Sequence, residues 1–104
     1  MSQLATIGRI VHYKLAEQDA AQINKRRRDA AASHSAREQN GFQVHVGNSA
    51  EVGQVYPAIV VRTWGDTPAA SIQLQVFLDG NDTFWATSVN EGDGERQWSW
   101  PPRV

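Results

Sequence analysis

Few residues of this sequence have types and spacings that could carry out a reaction. There is no cysteine, which excludes disulfides, thiolate metal sites and a cysteine nucleophile. The histidines are far apart and lie in no hydrolase or zinc-binding motif; they are His12, His34 and His45. The glycines form neither a phosphate loop nor a dinucleotide-binding motif, and the acidic loop 90–95 lacks the calcium-loop pattern. We therefore expect a non-enzymatic protein with no catalytic residue, no metal and no cofactor.

One aromatic residue is placed where it could bind a ligand. Phe77 falls on the polar alternation of its predicted strand, and its neighbours there are Gln73, Gln75 and Asp79. An aromatic ring among such groups can stack on a flat heterocycle while amides and carboxylates hydrogen-bond the edge of that heterocycle. The sequence leaves an alternative open, in which both faces of a central strand are partly covered by the rest of the protein.

Cationic residues could complete a site for an anionic ligand. Arg62 lies two residues before Trp64 on one alternation of the preceding strand, and a guanidinium is a natural partner for phosphate. Arg9, His12 and Arg103 are further candidates. The basic run 25–28 does not form one dense patch, because neighbouring residues on a helix point about 100° apart. A solvated helix face is the simplest interpretation of that run, and a salt bridge between subunits or a phosphate contact is the alternative.

The elements that must position these residues indicate one α+β domain spanning residues 1–104. We predict an antiparallel, strongly curved sheet of about five to six strands, with strands at 6–14, 42–46, 54–64, 71–79, 83–89 and 97–100. A helix, continuous or broken in two near residues 33–35, is inserted after the first strand at 15–39. Its apolar stripe is thin and consists of Leu15, Ala16, Ala20, Ile23, Ala30 and Ala31. Pro57 indicates an edge or a bulge at the start of its strand.

The second half of the chain carries all four tryptophans, Trp64, Trp85, Trp98 and Trp100. Because sheets use such rings in cores and subunit interfaces, we expect each tryptophan to lie in one or the other. Trp98 and Trp100 should share one face of their strand.

The charge of the chain is small but unevenly distributed. The net charge is −1, and it divides into seven basic and four acidic residues in 1–40 against three basic and seven acidic residues in 41–104. This balance argues against binding to long nucleic acid and allows complementary contacts within a subunit or in a homo-oligomer. No apolar stretch approaches the ~20 residues of a membrane span. We expect a soluble intracellular protein.

Several segments of the chain resemble small proteins encoded by tailed phages and prophages: TIGRIVHY, PAIVVRTWG, LQVFLDGNDTFWATS and WSWPPR. Over residues 6–14 and 54–103 the pattern is similar to phage anti-Thoeris sponge proteins. That resemblance implies an anti-defence protein of the host cytoplasm that sequesters a cyclic ADP-ribose-type signal or a cyclic oligonucleotide without cleaving it. By motif position it implies a pocket near a subunit interface, built from Phe77, Asp79, Asn81 and Arg62. The loop after residues 79–80 is shorter than in that family. The resemblance therefore does not determine the position of the Asn side chain or the identity of the ligand.

Two other functions fit the same sequence. One is a small phage structural protein, such as a head-decoration or head–tail protein, because a curved sheet with a side helix serves well as a structural plug. The other is an inhibitor of a host enzyme whose acidic half mimics nucleic acid.

Overall fold

The computed structural model describes residues 4–35, 48–80 and 82–102. Their elements are β1 (Ile10–Lys14), α1 (Glu17–Ser35), β2 (Val55–Thr63), β3 (Ile72–Phe77), β4 (Thr83–Glu91) and β5 (Gln97–Ser99). The five strands close into a barrel in the order β1-β2-β3-β4-β5, with β5 returning to pair with β1. All pairs are antiparallel except the short parallel pair of β4 and β5. The predicted α+β class with a helix after the first strand is confirmed, while the predicted strand 42–46 lies outside the described residues.

The first strand is shorter than predicted. In the predicted strand 6–14, the alternation of side chains puts Ile7 on the same face as Val11 and Tyr13, but Ile7 lies in a turn and is 69% exposed. Gly8 has a φ of 94°, a left-handed conformation that residues with a Cβ rarely adopt. Because this conformation interrupts the extended chain, the alternation begins only at β1, where Val11 and Tyr13 are fully buried.

The first half of α1 packs against one end of the barrel. At its start, the Ala16 N–H donates to Oδ2 of Asp19 at 3.0 Å, which is one half of a capping box. The predicted apolar stripe is buried as far as Ile23, and Ile23 belongs to the same core cluster as the strands. Ala30, which the sequence placed on that stripe, is exposed. The narrow apolar stripe of α1 therefore covers one end of the barrel.

The barrel core is built from the inward alternation of every strand. Its largest fully buried side chains are Trp98 and Tyr13. The Tyr13 hydroxyl donates to Oδ2 of Asp19 at 2.6 Å, joining the end of β1 to the start of α1. Burial, followed by the hydrogen bond to Asp19, raises the pKa of Tyr13. The Nε1–H of Trp98 is buried and has no hydrogen-bond partner among the described residues.

Irregularities in two strands set which residues face outward. The β2–β3 register shifts between Val60 and Arg62, so that Val61 and Arg62 are both exposed and Arg62 pairs with Gln73. The register between β3 and β4 also shifts, and the irregularity lies in β4 near Ser88, which has a φ of 51°. Pro57 pairs with β1, while the β2–β3 register runs only from Ala58. The predicted edge position of Pro57 thus appears where β2 extends past β3.

Candidate functional site

The structure divides the predicted site residues between the two ends of the barrel. Arg9 precedes β1 and Arg62 lies near the end of β2, and the antiparallel pairing of these strands places both residues at one end. Phe77 ends β3 at the opposite end, beside α1. Arg62 pairs with Gln73, four residues before Phe77, which separates Arg62 from Phe77 by roughly 13 Å along the sheet. The structure therefore does not bring the Arg62 and Phe77 positions together.

Asp79 lies just beyond Phe77 and helps to hold the loops around α1. Its Oδ2 accepts a hydrogen bond from Nδ2 of Asn48 at 2.7 Å, and its carbonyl oxygen accepts one from Nη2 of Arg27 at 3.3 Å. The two remaining predicted site residues, Asn81 and Arg103, lie outside the described residues.

Phe77 faces outward, as its polar alternation predicted, and the residue is 44% exposed. It pairs with Thr83, and the next row across the sheet consists of Ile59, Gln75 and Trp85. Trp85 is 58% exposed, so this tryptophan does not contribute to the core. The outward side of β2, β3 and β4 thus carries two exposed rings beside the uncharged side chains of Ile59, Gln75 and Thr83.

A different recess has the composition of a ligand site. A cleft of about 300 Å³ runs along the outward side of β1 and β5, and we call it the β1–β5 cleft. Its polar lining includes His12, Lys14, Gln97 and Ser99, and Trp100 is the aromatic residue that borders it. His12 pairs directly with Ser99 across the two strands. The volume of the cleft lies at the lower end of the range of small-molecule sites, about 300–1,000 Å³.

Trp100 is held in place from two sides. Its ring meets that of buried Trp98 edge to face, with centroids 5.2 Å apart and planes at 88°. Trp100 also packs against the core cluster that contains Trp98. The Cζ of Arg9 stands 5.1 Å from the Trp100 ring centroid, a cation–π distance. A positive charge therefore lies beside the ring of Trp100, which borders the cleft.

The other end of the cleft is closed by the loop between β4 and β5. Nζ of Lys14 donates to the Asp93 carbonyl oxygen at 2.6 Å, and the Gly94 N–H donates to Oε1 of Gln97 at 2.7 Å. The Gln97 amide occupies the space that a Cβ at Gly92 would require. Glycine at position 92 therefore permits the side chain of Gln97 to line the cleft.

Sequence reasoning named His12 but missed the other residues of this cleft. Lys14, Gln97 and Trp100 come together only because β5 returns to β1, and no local pattern indicates that pairing. Comparisons of the chain with protein-family models, curated proteins and solved structures found no match. Within residues 4–35, 48–80 and 82–102, no group of three or more His, Cys, Asp or Glu could hold a metal ion. No helix in those ranges is long and apolar enough to cross a membrane.

Proposed function

We propose that the protein binds a small anionic heterocycle of the cyclic-nucleotide class in the β1–β5 cleft and sequesters it without cleaving it. One observation carries the proposal: an aromatic residue, a histidine and a lysine, namely Trp100, His12 and Lys14, line one cleft of ligand size. A base can stack on an indole ring, with roughly 1–3 kcal/mol gained per stacked base in other nucleic-acid-binding proteins.

The charges around the cleft suit a ligand with both phosphates and a base. Lys14 uses one of its three ammonium protons for the Asp93 carbonyl oxygen, which leaves two for phosphate oxygens. Arg9, stacked on Trp100, adds positive charge at the other end. The carboxylate of Asp93 at the rim is an acceptor for an exocyclic amine of a base. Separate cationic and acceptor positions favour a nucleotide over a simple anion.

The biological setting follows from the resemblance to phage sponge proteins. In that setting the protein acts in the host cytoplasm, and it removes a signal by tight binding. The resemblance also predicts a pocket at Phe77, Asp79, Asn81 and Arg62, and that pocket stays a prediction. Phe77 lies on β3 and the β1–β5 cleft lies along β1 and β5, so β2 stands between them and single substitutions distinguish the two sites.

Titration calorimetry tests the proposal, with cyclic ADP-ribose and a panel of cyclic dinucleotides and trinucleotides as probes. We expect Lys14→Met to weaken binding of the recognised nucleotide about 10-fold or more, because a hydrogen bond to a charged group contributes roughly 1.5–3 kcal/mol. The control is Arg28→Met, which removes the same charge from an exposed position on α1 and should leave the affinity unchanged within about 2-fold.

Two results would count against the proposal. Absence of binding to every nucleotide of the panel would contradict the function. Binding that Phe77→Ser weakens and Lys14→Met leaves unchanged would instead place the site on the outward side of β3, around Phe77.

A further inference from the structure

An uncharged surface with two exposed aromatic rings lies on β2, β3 and β4. We define the β2–β4 face as the outward-facing residues Ile59, Gln75, Phe77, Thr83 and Trp85. Phe77 and Trp85 are diagonal neighbours on adjacent strands, a relation that places Cβ atoms about 7–8 Å apart, within reach of aromatic side chains. Exposed aromatic surface that is continuous over neighbouring strands is characteristic of interaction sites.

We propose that the β2–β4 face is the interface of a two-fold dimer of this chain. An interface between identical surfaces brings each residue near its own copy, so charges at the centre would repel each other. The five residues of the face carry none. The Gln75 amide has both donors and an acceptor, so that it can hydrogen-bond to its own copy. The proposal does not depend on ligand binding in the β1–β5 cleft.

Charged residues at the two ends of the face favour a second copy of this chain as the partner, and they determine the orientation of that copy. Arg62 is exposed beyond one end, on the same outward side as Gln73, and Asp79 is exposed beyond the other end, after Phe77. A two-fold axis in the plane of the face and perpendicular to the strands reverses the strand direction. Each Arg62 then lies opposite the partner's Asp79, whereas an axis parallel to the strands would place like charges together. The charges at the ends of the face are therefore complementary only in the dimer with reversed strand direction.

The size of the face sets the strength of the dimer. A large aromatic side chain has roughly 150–250 Å² to bury, so the exposed 58% of Trp85 and 44% of Phe77 offer on the order of 200 Å² per copy. With the surrounding aliphatic and amide groups, the face approaches about 500 Å² per copy, or about 1,000 Å² in total, the lower limit for a specific interface. We therefore expect a reversible dimer that dissociates on dilution.

Sedimentation equilibrium across micromolar to millimolar protein concentrations tests this interface. Trp85→Ser should raise the dissociation constant of the dimer on the order of 100-fold, because a truncated ring at the centre counts twice across a two-fold axis. Trp64→Ser is the matched control, since Trp64 is 53% exposed but lies beyond the face, under the guanidinium of Arg62. It should change the constant by less than about 3-fold, because rim contacts contribute little.

A charge exchange tests the orientation. Arg62→Glu should weaken the dimer, and adding Asp79→Arg should restore much of the loss. A wild-type chain that stays monomeric at millimolar concentration would overturn the proposal and leave the face to a partner of different sequence. Equal effects of Trp85→Ser and Trp64→Ser, in variants with unchanged circular dichroism, would overturn it as well. A charge exchange that fails to restore association would overturn the reversed-strand arrangement.

Discussion

Replacing Arg27 with methionine tests how α1 is fixed to the barrel. The Arg27 side chain is 8% exposed, and it donates to both carboxylate oxygens of Asp82, from Nε at 3.1 Å and from Nη2 at 2.9 Å. It also donates to the carbonyl oxygens of Asn48 and Asp79. The hydrogen bonds with Asp82 raise the pKa of Arg27 and hold the pKa of Asp82 below its usual value. Both groups are therefore charged in the folded protein.

The expected loss follows from burial and from the partners that remain. Removing one member of a buried ion pair costs about 3–5 kcal/mol. Asp82 is 24% exposed and also accepts from Nη2 of Arg26 at 2.9 Å, so water and Arg26 retain part of its stabilisation. We expect Arg27→Met to lower the free energy of unfolding by about 3 kcal/mol. For a domain of this size that corresponds to a fall in Tm of about 12–24 °C.

Urea denaturation followed by circular dichroism provides the measurement, and the neighbouring arginines provide the controls. Arg26→Met removes a half-exposed partner of Asp82 and should cost at most about 1 kcal/mol. Arg28→Met changes an exposed residue and should stay within about 0.5 kcal/mol of the wild type. A loss for Arg27→Met no larger than that for Arg28→Met would refute the reasoning.

Two further predictions concern the acid stability of the fold and the shape of the cleft. Because the pKa of Asp82 is lower in the folded protein than its unfolded value of about 3.9, its contribution is present above that pH and is lost as the pH falls through the lowered pKa. Stability curves of wild type and Asp82→Asn should therefore converge below about pH 4, and parallel curves would contradict this. Gly92→Ala should displace the Gln97 amide and weaken ligand binding several-fold, while the free energy of unfolding changes by less than about 1 kcal/mol. Unchanged affinity would show that Gln97 does not shape the site.

Local patterns were enough to predict most of the strands. The alternation of apolar residues in the predicted strand 71–79 indicated the inner side of β3 and of Leu78, which follows it, and Ile72, Leu74, Val76 and Leu78 are all buried. Departures from the prediction occur where a backbone conformation or a bulge interrupts the alternation, as at Gly8 and Val61. Closure of the barrel could not be predicted, because β1 and β5 are separated by most of the chain.

The candidate site was harder to predict because it depends on register and on tertiary contacts. The polar alternation correctly placed Phe77 on the outside of the sheet, but the distance between Phe77 and Arg62 depends on the β2–β3 register. The basic run on α1 was interpreted as solvated. That interpretation is wrong for Arg27, whose side chain is buried. Its partner Asp82 lies in the turn between β3 and β4, more than fifty residues away, and helix periodicity does not report such a contact.

The most direct test of the central claim is to recover the ligand. Wild-type protein is mixed with a nucleotide extract from an immune-activated host, separated from unbound material and denatured by heat, and the released molecules are identified by mass spectrometry. We predict that one cyclic nucleotide is depleted from the extract and returned with its mass unchanged, and that Lys14→Met retains much less of it than Arg28→Met does. A nucleotide returned as a cleaved product, or no nucleotide retained by the wild-type protein, would contradict sequestration in the β1–β5 cleft.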